Sequence, residues 1–473
     1  GFTYAPPEKF IQILTGLEKE WREKKSELKR LAKNASAELS IAEVSNSAVL
    51  PTDLAAGLMD SFVNQSFTYA DDLQGGYGQE NKFPSVPQLN TLLTIYERKP
   101  NAQIKQFLKI TLDNMAAQGL RDQLGGGFFR YVVDPNWQIP HFEKMLYDNA
   151  LLAGLYYRAA GILAEPEYKN VANQTLDFIL QELNTDSGAF AASLSAIDNK
   201  GIEGGYYLWD KEELTTILSD QEWKVVSLYW GLLGHPDLEH GHHLVQASSL
   251  QEVAKQLKLS VTTARQLLDS SRKKMLRQRA KRVLPKDSKI LAAWNGLVLS
   301  TLVQGTKIQG DKHYRQAANK LVEFIKTRLW DEDSETLYKA STNEANLGDG
   351  TLEDYAHVAQ GLYSWWELSK DPADKKVLDK IIRQAWKRFY GKQGWHLAEN
   401  MLLKYGVGQT MVSDSPIPSP SAVLIKTSYQ YATATNNKQL QDQALRALNV
   451  GFSQLQTDSF WYATQIEVIL KVQ

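Results

Sequence analysis

Asp122-Gln-Leu-Gly-Gly-Gly-Phe-Phe-Arg-Tyr-Val-Val-Asp-Pro-Asn-Trp-Gln-Ile-Pro-His-Phe-Glu-Lys-Met-Leu-Tyr-Asp-Asn-Ala150 is the stretch on which the fold turns. Its adjacent glycines open backbone angles closed to other residues. Phe128, Phe129, Tyr131 and Trp137 supply flat apolar faces, and Arg130, His141, Glu143, Lys144 and Asp148 supply charge. The segment then runs into an amphipathic helical pattern. A chemically loaded loop delivered onto a helical scaffold is how small-molecule pockets are built.

Working outward, helical spacing dominates. Residues 8–44 carry Phe10, Ile13, Leu14, Leu17 and Trp21 at helical intervals, and residues 51–65 form a second helix with Thr52 or Asp53 as N-cap. Further helices are expected near 86–98, 101–119, 141–163, 166–183, 210–218 and 220–231, with two more in 248–281. The series continues at 288–308, 311–329, 351–369, 372–389, 419–435 and 437–455, with a last segment from Phe460. Ala189–Ser193 and Gly205–Trp209 read as short strands. Helix pairs recur, separated by loops bearing Gly-Gly-aromatic or Trp at Gly75, Gly125, Gly204, Leu329-Trp330 and Gly394-Trp395. Helical hairpins in series give a solenoid or a closed ring. Long, chemically loaded loops favour the closed form, an all-α (α/α)6 toroid with short β-hairpins in its loops, whose loops line a cavity at one mouth.

The chain has 473 residues, 43% hydrophobic and 23% charged, with a net charge of -1. That is ample for a large core and gives no electrostatic case for nucleic acid or an anionic membrane surface. No apolar run reaches the roughly 18 residues of a membrane span. Cysteine is absent, which removes disulfides, thiolate nucleophiles and cysteine metal sites. Neither a metal nor a cofactor is expected, and the expected location is cytoplasmic. Twelve tryptophans are available for core packing or for the stacking faces of a sugar cleft.

Several segments carry a resemblance in the same order along the chain. Trp137 through Ala150 resembles the W-x-x-P-H-F-E-K-M-L-Y-D-N-A segment of the YyaL-type family, also known through the spermatogenesis-associated thioredoxin-like proteins. Gly75-Gly-Tyr-Gly78 with Lys82-Phe-Pro84, and Gly201-Ile-Glu-Gly-Gly-Tyr-Tyr-Leu-Trp209, resemble its other motifs. So do Arg282, Pro285, Asp287, Lys289 and Trp294-Asn-Gly296, and Glu353-Asp-Tyr-Ala356. The resemblance implies a barrel similar to N-acylglucosamine 2-epimerases and six-hairpin glycosidases over residues 45–473. It also implies a covalently linked thioredoxin-like domain, of which residues 1–44 would be the tail and linker. Two departures bear on activity: Ala196-Ile-Asp-Asn-Lys-Gly201 keeps only the second Asp of the family's D-A-D-S-E-G, and Pro418-Ser-Pro-Ser-Ala422 loses Gly and Asn from its P-S-G-N-S.

The chemistry concentrates in four places. His141, at an expected helix start after Pro140, stands near Glu143, Lys144, Tyr147 and Asp148, and a histidine beside carboxylates suits proton transfer near neutrality. Asp354, Tyr355 and His357 share the first turn of another helix. By resemblance to the epimerases, His141 and His357 on opposite walls would serve two faces of one sugar carbon, with Glu143 and Asp354 as the carboxylates of a glycosidase variant. Arg130, Trp137 and Glu203 complete the first group as ligand contacts. Asp287, an expected N-cap, Lys289, Trp294 and Asn295 form the third, suited to a hydroxyl-rich ligand. Glu239-His-Gly-His-His243 has a metal-like composition, but lacks ligand spacing and reads as a mobile loop. Two functions stay open: a carbohydrate epimerase, isomerase or glycosidase, or a module that binds a glycan or peptide.

Overall fold

The computed structural model describes residues 6–44, 54–236, 238–392, 394–399 and 408–472. Its helices are α1 Pro7–Val44, α2 Leu54–Tyr69, α3 Val86–Arg98, α4 Ala102–Ala117, α5 Leu146–Ile162, α6 Glu167–Phe178, α7 Lys211–Ile217, α8 Asp220–Tyr229 and α9 Leu250–Leu257. They continue with α10 Val261–Arg279, α11 Ala292–Gln309, α12 Lys312–Phe324, α13 Leu352–Ser369, α14 Pro372–Phe389, α15 Pro420–Thr435, α16 Lys438–Leu448, α17 Phe452–Thr457 and α18 Ala463–Val472. The expected N-cap at Thr52 or Asp53 and the expected domain boundary at 45 lie outside the described residues.

The expected (α/α)6 toroid is what the chain adopts. Helices α3, α5, α11, α13, α15 and α18 pack neighbour to neighbour, and α18 returns to α3 to close the inner ring. Each has an outer partner: α4, α6, α12, α14 and α16 follow their inner helices, whereas α18 pairs with α2 from the other end of the sequence. The inner helices are apolar around much of their circumference, as α5 shows with Leu146, Leu152, Leu155 and Tyr156 all buried. The outer helices are one-sided: α14 buries Leu378, Ile381, Ile382, Ala385 and Phe389 and leaves Lys375, Lys376 and Lys387 exposed. Helices α7–α10 form an insert with its own core around Trp209, Val225, Trp230, Val253 and Met275. Most described side chains of α1 are exposed, including Phe10, Leu14 and Leu17.

The loops that return from an outer to the next inner helix use one device twice. In Asp71-Asp-Leu-Gln-Gly-Gly-Tyr77, Asp71 Oδ1 accepts from the Leu73 and Gln74 amides, both at 2.9 Å, and Lys82 Nζ donates to Asp71 Oδ2 at 2.6 Å and to Gly75 O at 2.8 Å. In Asp122-Gln-Leu-Gly-Gly-Gly-Phe128, Asp122 Oδ1 accepts from Leu124 and Gly125 at 3.0 Å. There Lys144 Nζ donates to Asp122 Oδ2 and to Gly126 O, both at 2.8 Å. Gly75 and Gly126 have φ of 70° and 75°, and a Cβ on either would come within 2.6 Å of the Thr111 backbone or 2.5 Å of Gln174 O. Glycine therefore sets both the turn and its contact with the outer helix. Arg279, at the end of α10, joins the second device through Asp122 at 2.9 Å and ties the insert to the barrel.

Strands are short and lie at the helix entrances. Tyr131–Val132 pairs with Pro140–His141, and Lys144–Met145, Ser193–Leu194 and Lys286–Asp287 form an antiparallel trio. The helix expected from 141 therefore begins only at Leu146. A hairpin of Thr336–Ser341 with Asn346–Asp349 has no counterpart in the sequence reading. The helix expected over 437–455 divides at Gly451, whose φ is 82°. Pro420 occupies the first turn of α15, where a missing N–H is harmless, and Ser419 caps it by accepting from Ala422.

The Asp122–Lys144–Arg279 cluster is almost wholly buried, so an unpaired member has no water to turn to. Asp122→Asn should lower stability by about 3–5 kcal/mol, read as a fall in the midpoint of chemical denaturation.

Candidate functional site

One mouth of the barrel, at the N-terminal ends of α3 and α5, holds the chemistry. Residues 141–145 alternate between half-buried and buried, so Phe142 and Lys144 point inward while His141 and Glu143 stand on the opposite face. That is strand periodicity, and it replaces the helical grouping of His141 with Lys144. His141 Nδ1 lies 2.8 Å from Glu203 Oε1, its Nε2 lies 3.7 Å from Glu143 Oε2, and Arg130 Nη1 donates to Glu143 Oε2 at 3.2 Å. The Glu143 carboxylate and, in true hydrogen-bond contact, Glu203 raise His141 above its ordinary value against partial desolvation. The same pairing with His141, and then Arg130, holds Glu143 below the usual carboxylate range.

Behind this pair, Asp148 is buried with Oδ2 lacking a hydrogen-bond partner. Burial pushes its carboxyl well above the ordinary value; Arg130 offsets part of that, and Glu143 adds to it. Tyr147 is held neutral by burial and by Asp148, and its ring lies 4.9 Å from that of Trp294. A cavity of about 380 Å³ opens here, lined by Asp148 and Asp414 with Tyr77, Phe83, Phe460 and Trp461. Asp414 accepts from Ser419 N at 2.8 Å and Thr464 N at 2.9 Å, yet burial still raises it to about 6. Phe83 stacks on Tyr131 at 4.7 Å and Tyr131 on His141 at 5.2 Å, so one aromatic ladder joins the cavity wall to the histidine. Trp461 and Phe83 remain 52% and 41% exposed, which leaves apolar faces at a polar rim.

Arg130, His141, Glu143, Tyr147, Asp148, Glu203 and Trp294 are thus associated at or beside this mouth. Other expected site residues are engaged elsewhere. Trp137 is fully buried; its Nε1 donates to Gln74 O at 3.0 Å, and its ring occupies the space beside Gly76. Lys144 is consumed by the Asp122 turn. Asn295 accepts from Phe190 N at 2.9 Å and donates to Phe190 O and Leu291 O at 3.0 Å, as Asn149 does for Phe128. Asp354 caps α13 by accepting from Thr351, and also accepts from Ala293 N at 3.2 Å; Tyr355 OH accepts from Leu337 N at 2.9 Å. His357 is fully buried, neither ring nitrogen makes a hydrogen bond of good geometry, and desolvation lowers it to about 4. Asp287 sits in a strand and pairs with Lys289 at 3.1 Å; it does not cap α11, whose N-cap is Leu291. The 239–243 segment is pinned: His243 Nε2 lies 2.8 Å from Gly119 O, and its ring packs against Phe129 and Phe142.

Asp414, Tyr77, Phe83 and Trp461 were missed. Only the aromatics gave a signal, as part of the Gly75–Pro84 and Phe460 segments.

No family model matches the chain. The human spermatogenesis-associated protein 20 is 28% identical over 468 residues, 89% of this chain and 59% of that protein. The rat protein of the same name is 30% identical over 419 residues, 78% of this chain and 53% of that one. The chain therefore spans little more than half the length of these relatives. Among solved structures, a sugar epimerase from a ruminal bacterium superposes with a TM-score of 0.53 at 10% identity, covering 83% of each chain. A D-mannose isomerase gives 0.53 at 11% identity, covering 84% of each. A GH76 α-mannanase of Bacteroides thetaiotaomicron gives 0.50 at 10% identity, covering 84% of this chain and 83% of that one. These likenesses establish the shared toroid. No described helix is long and apolar enough to cross a membrane.

Because the folded value of Asp148 is raised above 3.8, its contribution to stability is full below pH 3.8 and is lost as pH climbs through the folded value. Asp148→Asn should thus melt higher than the wild type at pH 7, with the gain shrinking as pH falls toward 4; melting curves across that range test it. Glu143→Gln should lower the His141 titration midpoint, followed through its ring proton resonances.

Proposed function

We propose that this chain, which belongs to the family of the spermatogenesis-associated protein 20 relatives, performs acid–base chemistry on a carbohydrate at the His141 mouth. The observation that carries the reading is that His141 is joined through Tyr131 and Phe83 to the wall of a cavity lined by aromatic faces and by Asp148, whose carboxyl burial pushes toward the protonated form. Sugars present C–H faces for stacking and hydroxyls for hydrogen bonding, and Trp461, Phe83 and the carboxyls supply both. The toroid shared with a sugar epimerase and a D-mannose isomerase favours epimerisation or isomerisation, as an analogy of fold.

In this reading His141, oriented by Glu203 and Glu143, removes the proton beside a sugar carbonyl. Arg130 stabilises the developing oxyanion, and Asp148, whose burial favours the protonated carboxyl, donates to it or returns a proton to the opposite face. Asp148 takes the place first assigned to His357, which is neutral and enclosed. A second reading, glycoside hydrolysis, has its own support: Asp148 and Asp414 are two carboxyls of raised affinity for protons on one cavity, the arrangement from which an acid and a base are drawn. A thioredoxin-like domain preceding α1 remains the proposed covalent partner.

Incubation with a panel of free sugars and oligosaccharides in heavy water separates the readings. Wild type should incorporate deuterium beside the carbonyl, and His141→Ala should lose about 10²–10⁴ in rate without a fall in melting temperature. Exchange at the wild-type rate in the variant would defeat the mechanism. Release of reducing ends without exchange would favour hydrolysis, and binding without either would favour a binding module.

A further inference from the structure

The lumen of the barrel contains a second polar chamber of about 320 Å³, distinct from the mouth cavity. Its charged lining is unbalanced. Arg158, Lys426 and Lys471 face it, against one carboxylate, Glu467. Glu467 is already shared: Arg158 Nη1 donates to it at 3.0 Å and Lys471 from one helical turn away. Arg158 is further fixed by Asn90 Oδ1 at 2.6 Å and Thr94 Oγ1 at 2.9 Å, so its guanidinium is held in place before any ligand arrives. Lys426, half-buried on α15, has no acceptor among the described residues. The repulsion is felt in the pocket: desolvation first, then Lys426 and Arg158, bring Lys471 down to about 8 despite Glu467.

A confined, partly dry chamber with two uncompensated cations is an unfavourable arrangement in an empty protein and a favourable one around an anion. Gln304 and Gln360 add neutral hydrogen-bonding groups to the wall. We propose that this lumenal chamber binds the oxyanion of a small ligand, a phosphate or carboxylate group, between Lys426, Lys471 and Arg158. The proposal does not rest on the reading of the mouth. The two sites are nonetheless neighbours, since Thr464 lines the chamber while donating to Asp414 of the mouth cavity.

The test is calorimetric titration of the full chain with inorganic phosphate, glucose 6-phosphate and glucuronate at low ionic strength. At least one should bind in the millimolar range or tighter, and the affinity should fall with added salt. Lys426→Gln should weaken binding about tenfold or more, as expected for loss of a charge-assisted hydrogen bond, while Lys426→Arg retains it. Lys426 makes no ion pair among the described residues and repels Lys471, so the unliganded melting temperature of Lys426→Gln should not fall. Equal binding of phosphate and glucose 6-phosphate would point to the free anion, and tighter binding of the latter to a sugar-borne group. His141→Ala should bind as wild type does, which separates this result from the fate of the mouth mechanism. Absence of binding by all three anions, or undiminished binding by Lys426→Gln, overturns the proposal.

Discussion

A lysine ammonium buried against an aspartate at the bottom of a glycine turn is the interaction on which this toroid depends. It occurs as Lys82 on Asp71 and as Lys144 on Asp122, with side-chain exposures of 0% and 1% for the lysines. The aspartate gathers the turn amides through one oxygen and holds the lysine with the other. The lysine in turn closes onto a turn carbonyl. Charge is tolerated there because every partner is in place, and the geometry then fixes where the next chain segment must run. The second copy decides the site: with Lys144 drawn inward, alternation turns His141 and Glu143 outward toward Arg130 and Glu203.

The same ordering explains why so much charge in this protein is architectural. Asp122, Lys144 and Arg279 weld the insert to the ring, while Asn149 and Asn295 each bind both the N–H and C=O of a phenylalanine in the preceding loop. What is left without a protein partner is correspondingly informative. Asp148 Oδ2 at the mouth and Lys426 in the lumen find no hydrogen-bond partner among the described residues, and each borders open space.

Much of the ring was legible in the sequence, because long helices write their period and their caps locally. The helices over 86–98 and 372–389 coincide with expectation, both opened by a proline near the first turn. The site was legible as a neighbourhood, since the Arg130–Asp148 segment is continuous. Its internal roles were not. Over four residues, helical and alternating patterns share positions, and only the pairing of Tyr131 with His141 chooses between them. Burial of a lysine is likewise invisible without its distant partner, although the doubled Asp-x-Leu-x-Gly-Gly-aromatic turn at 71 and 122 was there to be matched to Lys82 and Lys144. Asp414 left no local trace at all: its position beside Asp148 is purely tertiary.

The closing of the ring by α18 against α2 and α3 has a consequence for biogenesis. Thr91 donates to Ala463 O and Gln88 to Phe460 O across 372 residues of sequence, and this seam runs along the wall of the mouth. During vectorial synthesis the earlier hairpins can assemble into an open crescent, but its two free edges, α2–α3 and α15–α16, stay open until α18 has emerged. Until then the crescent presents bare apolar surface of the kind that chaperones shield. Tyr77 and Asp148 likewise lack the opposite wall that Asp414, Phe460 and Trp461 complete. The wall of the mouth is therefore complete only once the ring has closed.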